Sequence, residues 1–243
     1  MRLTVLGACG AWPEAGQACS GFLLEHDGFR LLVDLGYGVV PRLFQQVDAA
    51  AVDAVFVSHG HPDHCADLNP LLRARAMAAD PPPPLPVYAP AGALDAVLAL
   101  DRPGMLEPAY ELRELTPSLR IGPFAAEVRM LPHWLPDAGI RLTVAGRTLA
   151  YTGDCGPDPG VVALARDADL LLAEATHVEE LPDGMPPLLS TAREVGAEAA
   201  AAGAGRLLLT HLWPGTDHAT AIAAAGASHR NVAVAAAGLT VDL

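Results

Sequence analysis

The chain has 243 residues, 51% hydrophobic and 18% charged, and its 28 acidic against 15 basic side chains give a formal charge of −13. That balance is too apolar for a disordered chain, and the length can bury a sizeable core in one domain spanning residues 1–243. With no basic run and a pI near 4.9, a broad phosphate-tracking surface for long nucleic acids is excluded.

Short β-type runs recur along the chain: Leu3–Leu6, Gly21–Glu25, Arg30–Asp34, Ala54–Ser58, Pro86–Ala89, Ala125–Leu131, Ile140–Val144, Thr148–Thr152, Leu170–Ala173, Arg206–Thr210 and Val232–Ala235. Helix-like segments at Leu68–Ala79, Gly92–Leu100, Val161–Arg166, Thr191–Ala202 and Ala219–Ala224 alternate with the later strands. The pattern predicts mixed sheets flanked by helices, an α/β architecture. Pro81–Pro84 with Pro86 reads as a stiff extended connector, and the Ala-rich stretch Ala197–Ala204, interrupted by Gly203, as a closely packed helix. Cys9, Cys19, Cys65 and Cys155 form no Cys-x-x-Cys pair and are too few for a disulfide scaffold. Together with an N-terminal apolar stretch too short for a signal peptide, they point to the cytoplasm. No segment reaches the roughly 18 apolar residues that a membrane span needs.

The segment that carries chemistry follows the apolar run Ala54–Val57: Ser58-His59-Gly60-His61-Pro62-Asp63-His64. A strand end delivers His59 and His61 on a tight turn, and a helix start presents Asp63 and His64, so imidazoles and a carboxylate converge without help from distant chain. Such a donor set suits Zn²⁺, with Mn²⁺ or Fe²⁺ as alternatives.

This His-x-His-x-Asp-His segment resembles the signature of the metallo-β-lactamase superfamily, and the likeness continues in order along the chain. Asp34, in Leu-Leu-Val-Asp-Leu-Gly, is similar to the family's early Asp that orients the metal ligands from behind. His133 in Met-Leu-Pro-His-Trp, Asp154 in Tyr-Thr-Gly-Asp-Cys and His211 in Leu-Leu-Leu-Thr-His-Leu resemble the remaining ligands. Taken singly, His133 or His211 reads as a hydrogen-bonded core histidine and Asp154 as a cap; the ordered series argues for ligands. The resemblance implies a four-layer αβ/βα sandwich holding two divalent metal ions. His59, His61 and His133 would bind one, Asp63, His64 and His211 the other, with Asp154 shared. It also implies a hydrolase in which a metal-bridging hydroxide attacks and Asp63 belongs to the catalytic set. Two such cations would move the formal charge from −13 to about −9, which reconciles an acidic chain with a small anionic substrate.

Leu170-Leu-Leu-Ala-Glu-Ala-Thr-His177, followed by Ser190-Thr191, resembles the ribonuclease Z and phosphodiesterase branch of that superfamily. Glu174 would then be an acid near the leaving group, and the dimers general in the branch imply a homodimer. Two positions depart from the branch, which places a His where this chain has Ala173 and Leu189. The leaving-group acid is therefore open between His177 and His218, both of which also read as surface histidines. Transfer-RNA-processing members carry an arm between the third-motif His and the bridging Asp, here His133 and Asp154, only 21 positions apart. The expectation is a phosphodiesterase for a small substrate such as a cyclic nucleotide, with Ser20, Trp134, His177 and Trp213 near it. Trp134 and Trp213 read alternatively as packing residues, and Cys155 as a small buried hydrophobe. The rivals are an ester, lactone or lactam hydrolase on the same metals, a ribonuclease Z-type endonuclease, and a non-catalytic metal-binding protein.

Overall fold

The computed structural model describes all 243 residues. The first half runs β1 (Arg2–Gly7), β2 (Gly21–His26), β3 (Phe29–Leu35), α1 (Val39–Leu43), β4 (Ala54–Phe56), α2 (Pro62–Cys65), α3 (Leu68–Ala76), β5 (Leu85–Tyr88), α4 (Asp95–Leu98) and β6 (Tyr110–Arg113). The second half continues β7 (Ser118–Ile121), β8 (Phe124–Leu131), β9 (Asp137–Val144), β10 (Arg147–Tyr151), α5 (Pro159–Leu164), β11 (Leu170–Glu174), α6 (Ala192–Ala202), β12 (Leu207–Thr210), α7 (His218–Gly226), β13 (Val232–Val234) and β14 (Thr240–Asp242). The strands form two seven-stranded sheets, ordered β14-β1-β2-β3-β4-β5-β6 and β13-β12-β11-β10-β9-β8-β7. Each is antiparallel where hairpins join its strands and parallel where helices intervene, as connection length dictates.

Strand sequences that are apolar without alternation explain the layering, because both faces of the sheets are covered. In β3, Leu31 and Val33 face the core between the sheets, whereas Leu32 and Leu35 face the helices outside. In β11, Leu170 and Leu172 point inward and Leu171 and Ala173 outward. The period of two along a pleated strand thus builds four layers, helix–sheet–sheet–helix. Each fully buried Leu contributes roughly 1.5–3 kcal/mol relative to exposure. On the second sheet, α6 starts with a capping box between Thr191 and Glu194 and stops at Gly203 in the left-handed region. Gly196 lets α7 lie against it, since a Cβ there would stand 2.3 Å from the Ala225 carbonyl oxygen. The Pro-rich connector runs along the surface, tied down where Arg75 donates to the Pro83 carbonyl.

Three strands escape the sequence reading: β6, β7 and β14. β6 and β14 are sheet edges of mixed polarity and mostly exposed, so the half-buried alternation that marks a strand is missing. The expected helices Leu68–Ala79 and Gly92–Leu100 are shorter, ending at Ala76 and Leu98. No helix is long and apolar enough to cross a membrane.

Candidate metal centre

The chemistry collects at one end of the sandwich, where strands of both sheets run out. Asp34 lies near the end of β3, His59 just past β4, and Asp63 and His64 within α2, where Pro62 at the helix start fixes the turn. From the other sheet come His133 after β8, Asp154 after β10 and His211 after β12. Two groups form: His59, His61, His133 and Asp154, and Asp63, His64, Asp154 and His211. Within each, the candidate ligand atoms lie within 4.8 Å of one another, and Asp154 belongs to both.

Hydrogen bonds behind the cluster orient each ring. His59 Nδ1 faces the Asp137 carboxylate at 3.1 Å, so its Nε2 points inward. His64 Nδ1 meets Asp34 Oδ2 at 2.7 Å, His133 Nδ1 the Leu188 carbonyl at 2.9 Å, and His211 Nδ1 the Thr176 hydroxyl at 2.9 Å. In each case the second nitrogen is left for the cluster, the arrangement in which an outer acceptor sets the tautomer of a ligating histidine. His61 instead presents Nδ1, 3.0 Å from Nε2 of both His59 and His133. Besides His64, Asp34 anchors two neighbours, accepting from the Ser58 backbone N–H and hydroxyl and from the Tyr151 hydroxyl. Glu174 is buried behind the cluster, and its carboxylate accepts from Ser190, Cys155 and Thr176. The Thr176 hydroxyl, which donates to Glu174 and meets His211 Nδ1, links it to that ring.

Electrostatics divide the two groups. Burial pushes His59, His61 and His133 toward the neutral form, the form with a lone pair to donate. At His64 and His211 burial acts the same way, but Asp154, helped by Asp34 and Asp63 respectively, outweighs it and raises both. Asp154 and Asp63 are held low against burial, Asp154 chiefly by His211 and His64, and Asp63 by its hydrogen bond to His211. The carboxylates thus favour positive charge at His64 and His211, the balance that a bound cation would equally supply. The fit to metal shows in unsatisfied atoms: His64 Nε2 and Asp154 Oδ1 are buried and 3.2 Å apart, yet neither makes a hydrogen bond. In the first group His59 Nε2 and His133 Nε2 both converge on His61 Nδ1 at 3.0 Å, a gathering of imidazole nitrogens that suits a shared cation.

Several residues of the site carry no motif. Asp137 is completely buried behind His59, and it is the only acidic residue between His133 and Asp154, the one signal that could have found it. Gly153, in the left-handed region at φ +63°, makes room for it, because a Cβ there would stand 2.3 Å from Asp137 Oδ1. Tyr151 and Thr176 read as ordinary strand-end residues. Ala11, at φ +59°, donates its N–H to Asp63 Oδ2 at 2.8 Å and holds the loop after β1 against the site.

The rim is aromatic. Trp12, Trp134 and Trp213, all the tryptophans of the chain, are 43–48% exposed. Trp134 leans on His133, Trp12 meets Trp213 edge-on at 4.9 Å, and His177 stacks on Trp213. Ser20 requires a correction: it has no exposed surface, so it packs beneath the site and is out of a substrate's reach. Ala173 and Leu189 are buried and apolar, and Cys155 is a buried thiol whose pKa burial drives upward.

The fold and this site define a metal-dependent hydrolase class, and comparison with known proteins places the chain in it. A family model described as the beta-lactamase superfamily domain matches residues 29–212, so the chain belongs to that superfamily and is a hydrolase of the metallo-β-lactamase fold. It is 33% identical over 216 residues to the probable metallo-hydrolase YhfI of Bacillus subtilis, covering 87% of each chain. The crystal structure of YhfI superposes with a TM-score of 0.89, covering 99% of this chain and 98% of that one. Ribonuclease Z of Halorubrum lacusprofundi is 28% identical over 270 residues, covering 87% of this chain and 86% of its own. The fold also matches human tRNase Z, short form, at a TM-score of 0.80 and 24% identity, covering 100% and 99% of the two chains.

Proposed function

We propose that this protein is a dinuclear-metal phosphodiesterase acting on a small anionic phosphodiester, such as a cyclic nucleotide. One observation carries the reading: two convergent donor groups share the single carboxylate of Asp154. His59, His61 and His133 would hold one ion and Asp63, His64 and His211 the other, with Zn²⁺ the best match to the donors and Mn²⁺ or Fe²⁺ compatible. When bound, two divalent ions supply acidification of water and neutralisation of charge at the attacked and departing oxygens.

The chain's own residues do the rest. Asp34, Asp137, Thr176 and the Leu188 carbonyl fix ring orientation, so little reorganisation is needed when charge develops. Asp63 is held by the Ala11 N–H and by His211, which fixes its carboxylate at the open face. Ala173 and Leu189 cannot protonate a leaving oxygen, so in this reading the proton comes from solvent at the aromatic rim. The similarity to ribonuclease Z supports phosphodiester chemistry. Small substrate size is supported by the short path from His133 to Asp154, which is spent on the β9–β10 hairpin and its tight turn at Ala145 and Gly146 and forms no arm.

An ester, lactone or lactam hydrolase on the same donors is the second reading, because the fold and the donor set are common to both. Protein loaded with Zn²⁺ or Mn²⁺ is to be tested on bis(p-nitrophenyl) phosphate, a cyclic nucleotide panel, a lactone and a β-lactam. Turnover of the phosphodiesters is expected; turnover of carbonyl substrates alone contradicts the proposal.

A further inference from the structure

Beside the Asp63–His64–His211 group lies a crevice of about 260 Å³, where the loop after β1, the end of β12 and the end of β13 meet. It begins one residue from His211 on either side, since Thr210 and Leu212 both line it, while none of the seven clustered side chains does. It is therefore a compartment distinct from the donor groups but next to one of them.

Its polar groups are unspent. Thr210 is 1% exposed and its hydroxyl has no hydrogen-bond partner, an unfavourable state for a buried polar group. Two residues earlier in β12, Leu208 faces the core between the sheets, whereas Leu207 and Leu209 face the helices. Strand alternation puts Thr210 on the inter-sheet side, into the crevice. Glu14, Gln17, Trp213 and His218 line it as well, together with the small apolar side chains of Ala8 and Ala235. No Arg lines it, which disfavours a phosphate there. Acceptors on Glu14, Gln17 and Thr210 instead suit a neutral ring that donates through an exocyclic amine, and Trp213 offers it an aromatic surface. The crevice is also tied to the donor groups: Trp12, in edge contact with Trp213, follows Ala11, whose N–H donates to Asp63.

We propose that this crevice is a specificity subsite for the amine-bearing nucleobase of a nucleotide whose phosphate lies at the adjoining donor groups. The inference rests on the phosphodiesterase reading above and adds to it which part of the substrate is recognised, and where.

Trp213 lines the crevice and Trp12 touches Trp213, so intrinsic fluorescence reports binding directly. Metal-loaded protein is titrated with adenosine 5′-monophosphate, uridine 5′-monophosphate and ribose 5-phosphate, and hydrolysis of bis(p-nitrophenyl) phosphate is measured in parallel. The adenine nucleotide is expected to bind about tenfold tighter than ribose 5-phosphate, with the uracil nucleotide between, on the scale of a stacked and hydrogen-bonded base. Thr210→Val should weaken adenosine monophosphate by about threefold to tenfold without lowering Tm, because it removes an unpaired hydroxyl. Gln17→Leu, on the exposed rim, repeats the test without touching the core. Equal affinity for adenosine monophosphate and ribose 5-phosphate, or no effect of either variant, overturns the subsite. Because bis(p-nitrophenyl) phosphate has no base, its turnover without base discrimination defeats the subsite alone. Base discrimination without any turnover defeats the phosphodiesterase reading instead.

Discussion

The Tyr151 hydroxyl donates to Asp34 Oδ2 at 2.6 Å and so joins β10 of one sheet to β3 of the other, directly behind His64. Tyr151 is 1% exposed and packs edge-on against Phe22, so its hydroxyl is confined to the Asp34–His64 pair, with His64 Nδ1 at 3.5 Å. Tyr151→Phe keeps the ring and removes the bond to a charged acceptor, so the expected loss is about 1.5–3 kcal/mol of stability. Metal affinity should fall by about tenfold or more, because Asp34 is then held less firmly against His64. Urea unfolding and metal competition measure the two effects.

Gly153 and Gly146 separate backbone strain from site geometry. Both have positive φ, +63° and +74°, but a Cβ at Gly153 would strike Asp137, whereas at Gly146 nothing lies within 4 Å. Ala at either position carries a left-handed penalty of roughly 1–2 kcal/mol. Only Gly153→Ala should also displace Asp137 from His59 and weaken metal binding by about tenfold to a hundredfold. Equal metal affinity in the two variants would remove Asp137 from its positioning role.

Glu198 makes stability pH-dependent away from the donor groups. Burial between α5 and α6, with smaller contributions from Glu194 and Asp158, raises its carboxyl from 4.5 to about 7 although the Asp158 N–H opposes the shift. An acid whose folded pKa exceeds its unfolded one holds its proton better when folded, so stability is lost as pH rises from 4.5 through 7. Glu198→Gln should therefore raise stability by about 1–3 kcal/mol at pH 8, with the gain vanishing below pH 5. Thermal melts at the two pH values check it; a gain independent of pH would show that ionisation is not the cause.

These residues also mark how far the sequence could be read. The histidines and Asp154 were legible because each follows an apolar strand and a ligand at a strand end leaves a fixed pattern in the chain. Mixed sheets flanked by helices were legible because strands buried on both faces are continuously apolar, while their stacking into four layers was implied by the family resemblance. Asp137, Tyr151 and Thr176 were not: they act through partners 117 residues away in the case of Tyr151 and Asp34, and nothing local distinguishes them from turn or core residues. Ser20 was placed near the substrate by resemblance alone, and nothing local showed that it would be fully buried, with its carbonyl accepting from Gly36. The edge strands β6 and β14 were lost because their pairing comes from a neighbour in space and not from their own periodicity.

If two ions share Asp154, the metal content of each chain follows. Elemental analysis of the metal-loaded protein should give two divalent ions per chain, about one in His61→Ala, and fewer than two in Asp154→Ala, with circular dichroism unchanged in both. Two ions retained in both variants, or no more than one in the parent protein, would contradict the shared site.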